Sequence, residues 1–276
     1  MSKSLSESEM IIKSRRLLEN PYALLDEYGS FSALPLYVQT EVSQDRHRFS
    51  ETEIELKAKE LQKVIWKNRK QIWGADIPSN PIDMLDPSIA FGLMGYDYDL
   101  DETLGQYLSK GQQVEVAGLI DSSSKRVRVS RRFSSEVRIF TAAHELGHAV
   151  LHEARGLHRD RSLDGTALSH DAIETEANKF ATYFLMPEKL VRARFESLFA
   201  TECFALNEAT VFALSGSHLF DFQKNCRTLR DLSRILAKAE YYNGLYFTSL
   251  SNQFRVSPEA MAIRLEELGL CTTASK

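Results

Sequence analysis

The sequence of 276 residues carries three cysteines, Cys203, Cys226 and Cys271. They are odd in number and far apart, which excludes a disulfide framework and the paired spacing of a zinc knuckle. Reduced thiols and a cytoplasmic location are expected. No run reaches the roughly 18 apolar residues that a membrane span needs. The opening MSKSLSESEM has no apolar stretch of signal-peptide kind, so none is expected. Neither sign of charge dominates: 34 basic and 38 acidic residues leave a formal net charge of −4. Strong nonspecific attraction of the whole chain to nucleic acid is thereby excluded, although a local patch could still bind. No internal repeat is present. What remains is an ordinary globular composition, 43% apolar and 26% charged, long enough for one or two domains.

Hydrophobic spacing marks several elements. Met10–Tyr28 could form an amphipathic helix. Residues 51–73 read as a clearer one, with a capping box of Ser50 and Glu53, apolar Ile54, Ala58, Leu61, Ile65 and Ile72, and Gly74 as the stop. Pro78, Pro81 and Pro87 mark a winding connection, followed by a short helix over Ser88–Met94. Val114–Ile120 and Arg126–Ser130 flank a turn-like DSSSK and predict a hairpin. From Ser134, a capping residue, the period becomes helical through AAHELGHAVLHE. A second helix is expected from about Asp171 to Met186, broken by Pro187. Arg227–Tyr242 and a pair over Ser249–Leu268 complete a helical C-terminal third.

The chemistry centres on HELGH at 144–148. Positions i and i+4 share one helix face, so His144 and His148 can aim ring nitrogens at one cation. Glu145 is rotated by about 100° and can reach a water on that cation without binding it. Gly147 leaves room for a neighbouring helix. A catalytic zinc needs a third protein ligand and one open position. Position 151 is Leu and position 154 is Ala, which excludes the long H-E-x-x-H-x-x-G-x-x-H form. ETEAN at 174–178 offers Glu174 as a ligand and Asn178, one turn on, as a supporting polar group. Asp171, His170 and Glu176 stay open as alternatives. His152 suits a packing or supporting role better than ligation.

Together, AAHELGHAVLH at 142–152 and EANKFATYFLMP at 176–187 resemble the ImmA/IrrE metallopeptidases. The preceding VAGLID and RVRVS runs fit, and LSNQFRVSPEAMAIRLEELGL at 250–270 looks like the helix-turn-helix-like module that follows their catalytic part. The resemblance covers about residues 85–270. It implies a mostly helical α+β fold: a zincin-like catalytic core with a small antiparallel sheet packed on the HExxH helix, then a helical module. The expected domains are 1–80, an N-terminal segment, 81–200, the metallopeptidase, and 201–276, the C-terminal module. The resemblance further implies an intracellular zinc (Zn2+) endopeptidase that cuts a specific protein, typically a helix-turn-helix repressor, in stress response or transcription regulation. Carried over by position, the ligands are His144, His148 and Glu174, with Glu145 as base.

Two rival readings remain. The metal could serve a silent regulatory protein, although Glu145 has no place in a purely structural site. Alternatively, residues 249–268 could contact DNA, with Arg264 as the phosphate contact, although Glu259, Glu266 and Glu267 on the same helix repel phosphate. Direct nucleic-acid binding and membrane association are not expected. Tyr183, Tyr241, Tyr242 and Tyr246 are candidates for stabilising an oxyanion.

Overall fold

The computed structural model describes residues 48–109, 112–152, 157–159 and 172–273. The expected helix over Met10–Tyr28, and the loop positions His170 and Asp171, lie outside them. The described residues divide into two compact units, 48–77 with 84–185 and 78–83 with 186–273. The sequence-based boundaries stood at 80 and 200 instead.

In the first unit, α1 (Glu51–Trp73) opens with the expected capping box: Ser50 accepts from the Glu53 amide, and Glu53 accepts from the Ser50 amide. Its buried stripe is Ile54, Ala58, Leu61 and Ile65. Gln62 lies in the same stripe. Its amide donates to the carbonyls of Tyr183 and Phe184, both at 3.0 Å, in the last turn of another helix. After α2 (Pro87–Leu93), capped by Asp86, come five strands, and a sixth follows the next helix. They are β1 (Asp97–Asp101), β2 (Gln106–Ser109), β3 (Gln112–Glu115), β4 (Gly118–Asp121), β5 (Arg126–Ser130) and β6 (Leu157–Arg159).

The main sheet has the order β1-β5-β4-β6. β4 is antiparallel to β5 and to β6, but β1 runs parallel to β5, so the wholly antiparallel sheet expected from sequence is in fact mixed. The register supplies a reason: Asp97 lies opposite Arg126 and Asp99 opposite Arg128, so opposite charges meet across strands. The DSSSK turn joins β4 and β5 as expected. Asp121 holds it by accepting from Ser123 and Ser124, which pushes its carboxyl down to about 2. The Val114–Ile120 run is corrected from one strand to parts of two. Val114 and Glu115 pair back with β2, and Gly118–Ile120 pair with β5. On the inner face, Ile120, Val127 and Val129 are fully buried.

Against that face lies α3 (Ser135–Leu151), and against α3 lies α4 (Ala172–Leu185). Ser134 occupies the N-cap position of α3, but its side chain makes no capping hydrogen bond to the helix. Gly147 lets the two helices approach closely. A Cβ there would sit 3.0 Å from both the Cα and the carbonyl oxygen of Ala177. Ala177, Phe180, Ala181 and Phe184 form the buried stripe of α4.

The second unit holds α5 (Glu188–Phe199), begun at Pro187, then α6 (Glu208–Ser215), α7 (Leu219–Asn225), α8 (Leu229–Lys238), α9 (Leu250–Gln253) and α10 (Pro258–Glu267). Two small sheets join them: parallel β7 (Phe204–Ala205) with β10 (Cys271–Thr272), and antiparallel β8 (Tyr241–Tyr242) with β9 (Leu245–Tyr246). The helix expected over Arg227–Tyr242 therefore ends early. Asn243 and Gly244 take φ of 47° and 84°, the left-handed pair a two-residue hairpin requires. Phe199 packs among Phe195, Phe204, Tyr242 and Phe247. Arg230 bridges from α8 to Glu259 and Glu266 on α10. Arg264 is not a surface phosphate contact. It is 4% exposed, and donates to the Met186 carbonyl at 3.1 Å and to Glu267 at 3.0 Å. The molecule is thus a mostly helical α+β protein with a small sheet. No helix among the described residues is long and apolar enough to cross a membrane.

Candidate metal centre

The two histidines of the motif occupy one face of α3, a turn apart, as the i, i+4 spacing dictates. Their Nε2 atoms lie 2.9 Å from each other. Glu174, in the first turn of α4, places Oε2 at 3.2 Å from His144 Nε2 and Oε1 at 3.7 Å from His148 Nε2. Close packing at Gly147 and Ala177 brings this carboxylate within reach. His144, His148 and Glu174 form a cluster whose ligand atoms all lie within 4.8 Å of one another.

The far side of His144 is fixed as well. Its Nδ1 meets Asn178 Oδ1 at 2.9 Å. An amide oxygen only accepts, so Nδ1 carries the hydrogen, and a neutral ring then presents a lone pair at Nε2. That lone pair faces a carboxylate oxygen and a second imidazole nitrogen. Neutral rings do not carry enough hydrogens to satisfy all of these contacts, whereas a cation among them satisfies every one. Burial pushes the His148 pKa down, which keeps its ring neutral.

The donor set therefore fits a metal ion. Ligand atoms about 2.0–2.1 Å from a tetrahedral ion lie about 3.3 Å apart, near the 3.2 Å between His144 Nε2 and Glu174 Oε2 and the 2.9 Å between the two Nε2 atoms. The surroundings are asymmetric: the His144 and His148 side chains are 1% and 2% exposed, but Glu174 is 34% exposed. The cluster is therefore sealed on the side of its two rings, and what exposure it has lies at Glu174.

Glu145 is fully buried between α3 and β4. The fit depends on Gly118. A Cβ on that residue would stand 2.7 Å from Glu145 Oε1 and 2.6 Å from Thr141 Cγ2. Sequence reading gave Gly118 no role, because a strand glycine has meaning only once its cross-layer neighbour is known.

Of the open alternatives, Glu176 faces elsewhere. It is buried, with Oε2 2.9 Å from His152 Nε2 and Oε1 accepting from the Phe49 amide at 3.1 Å. His152, the C-cap of α3, packs its ring 5.4 Å from that of His148. Of the oxyanion candidates, Tyr183 directs its hydroxyl to Glu51 at 3.4 Å. Tyr242 is taken up by the Phe199 cluster, and Tyr241 packs on Tyr246 at 5.1 Å.

Comparison with known proteins agrees with this geometry. Residues 102–203 match the family model of the M78 peptidases, described as an IrrE N-terminal-like domain. No curated protein and no solved structure matches the chain.

Proposed function

Because residues 102–203 match the IrrE N-terminal-like family model of the M78 peptidases, we propose that the chain is a zinc-dependent endopeptidase with His144, His148 and Glu174 as ligands. The observation that carries this reading is the convergence of two buried imidazole nitrogens and one half-buried carboxylate within 4.8 Å of one another. Two neutral rings and a carboxylate suit zinc, and leave a coordination position for substrate or water.

A bound zinc ion supplies electrophilic polarisation of a peptide carbonyl and a water acidic enough to react near neutral pH. The chain's own residues do the rest. Asn178 keeps the hydrogen of His144 on Nδ1, so that Nε2 stays a donor of electrons. Glu145 is the general base: its carboxylate takes the proton of the attacking water and returns it to the leaving amide nitrogen. Its burial against Gly118 limits the rotamers open to it.

The proposed fold assignment is a zincin-like core, with residues 249–268 as a helix-turn-helix-like module. The proposed substrate is a specific cytoplasmic protein, a helix-turn-helix repressor whose cleavage releases transcription under stress. This rests on the family resemblance of the two motifs. The burial of Arg264 favours a packing role for the module over DNA contact.

The test pairs two variants. Glu145→Gln is expected to keep one zinc per chain and lose cleavage by about 10²–10⁴-fold. His148→Ala is expected to lose the metal. Full zinc occupancy in His148→Ala, or wild-type cleavage by Glu145→Gln, overturns the assignment. Zinc binding with no cleavage of any repressor offered leaves the silent regulatory reading in its place.

A further inference from the structure

Resting on the reading of His144, His148 and Glu174 as ligands, we infer that His152 and Glu176 are positioning residues, and that the backbone entering α1 holds them in place. Three contacts run in series. The Phe49 amide donates to Glu176 Oε1 at 3.1 Å, Glu176 Oε2 meets His152 Nε2 at 2.9 Å, and the His152 ring lies 5.4 Å from the ring of His148 at 49°. The Phe49 ring closes the arrangement, edge-on to His152 at 6.2 Å.

A carboxylate only accepts, so His152 Nε2 carries a hydrogen. Its Nδ1 is buried and meets no hydrogen-bonding atom among the described residues. A hydrogen there would be a buried, unsatisfied donor, so the hydrogen of the ring sits on Nε2, toward Glu176. In that state it offers no lone pair at Nε2. It acts instead as a wall behind His148, whose other side packs on His144 at 4.7 Å. His148 is therefore held between two rings, and its Nε2 is aimed toward Glu174.

The same helix, α4, thus reaches α3 with two carboxylates: Glu174 at the metal cluster and Glu176 at the ring behind it. Burying a carboxylate only to hold a surface helix would be unfavourable against an apolar alternative. Its placement makes sense as a means of fixing a ring that a metal ligand leans on. A second contact, Lys179 with Glu51 at 2.7 Å, ties α4 to the start of α1 without touching any of the histidine rings, and serves as a control.

The experiment is a zinc titration in competition with a chromophoric chelator, run on the full chain, with thermal melts alongside. His152→Ala and Glu176→Ala are each expected to raise the zinc Kd about tenfold. The double variant is expected to be no worse than either single one, because the two act as one unit. Glu51→Ala is expected to lower the melting temperature slightly and leave the Kd unchanged. If His152→Ala does not fold, His152→Gln keeps a donor for Glu176 but lacks the ring, and is expected to show the same weakening. Wild-type Kd in the single variants, or multiplied losses in the double, overturns the inference while leaving the metal site intact. A wild-type chain that binds no zinc overturns both.

Discussion

His144 gives its Nδ1 hydrogen to the side-chain oxygen of Asn178, 2.9 Å away and 34 residues on. One hydrogen bond across two helices decides which nitrogen of a buried ring keeps its lone pair. Asn178→Leu is expected to weaken zinc binding by about ten- to a hundredfold, because both tautomers of His144 become accessible. A chelator competition measures it, and unchanged affinity would remove Asn178 from the site.

Gly118 makes a different prediction. In Gly118→Ala the new methyl must displace Thr141 or the Glu145 carboxylate, each under 3 Å away. Zinc content is expected to remain at the wild-type level. A shift of Glu145 by about 1 Å lowers kcat/KM on the order of a hundredfold. Full activity in this variant would mean that Glu145 is not constrained by β4.

Gln62 concerns stability alone. Its buried amide serves the carbonyls of Tyr183 and Phe184 at the end of α4. Gln62→Leu keeps the approximate volume and removes that donor, which is expected to destabilise by about 1–3 kcal/mol in urea denaturation. A neutral outcome would show that water replaces the glutamine.

The ion pairs of the second unit predict a pH dependence. Arg230, then Ser233, hold the Glu266 carboxyl below its ordinary value of 4.5. A depressed folded pKa contributes stability that is complete above the unfolded value and is lost as pH falls through the folded one. Wild type should therefore melt above Glu266→Gln at pH 7, with the gap shrinking below about pH 4.5. A gap that stays constant to pH 3 would show that the charge of Glu266 is not what stabilises.

Local signals in the sequence led directly to local structure. The Ser50–Glu53 capping box, the Pro187 break and the i, i+4 histidines each depend on residues within a turn of one another. What was missed depends on distant partners. Asp97–Asp101 is too acidic to suggest a strand until Arg126 and Arg128 are seen beside it. Arg264 suggests a phosphate contact until the Met186 carbonyl, 78 residues away, is found receiving it. The choice between Glu174 and Glu176 turns on the rotation of α4, which the Gly147–Ala177 approach fixes. Asn243–Gly244 did carry a legible hairpin signal, which the helical pattern before it obscured.

The M78 match stops at Cys203, yet residues 186–203 fold with the remainder of the chain to residue 273. Arg192 donates to Leu268, Arg264 donates to Met186, and Phe199 packs on Tyr242 and Phe247. A fragment trimmed to the limits of the match would carry α5 with its apolar face bare and its tethers severed. Expressed alone, it should be sticky and readily digested by added protease. The matched residues and the C-terminal residues on which α5 packs are better handled as a single piece.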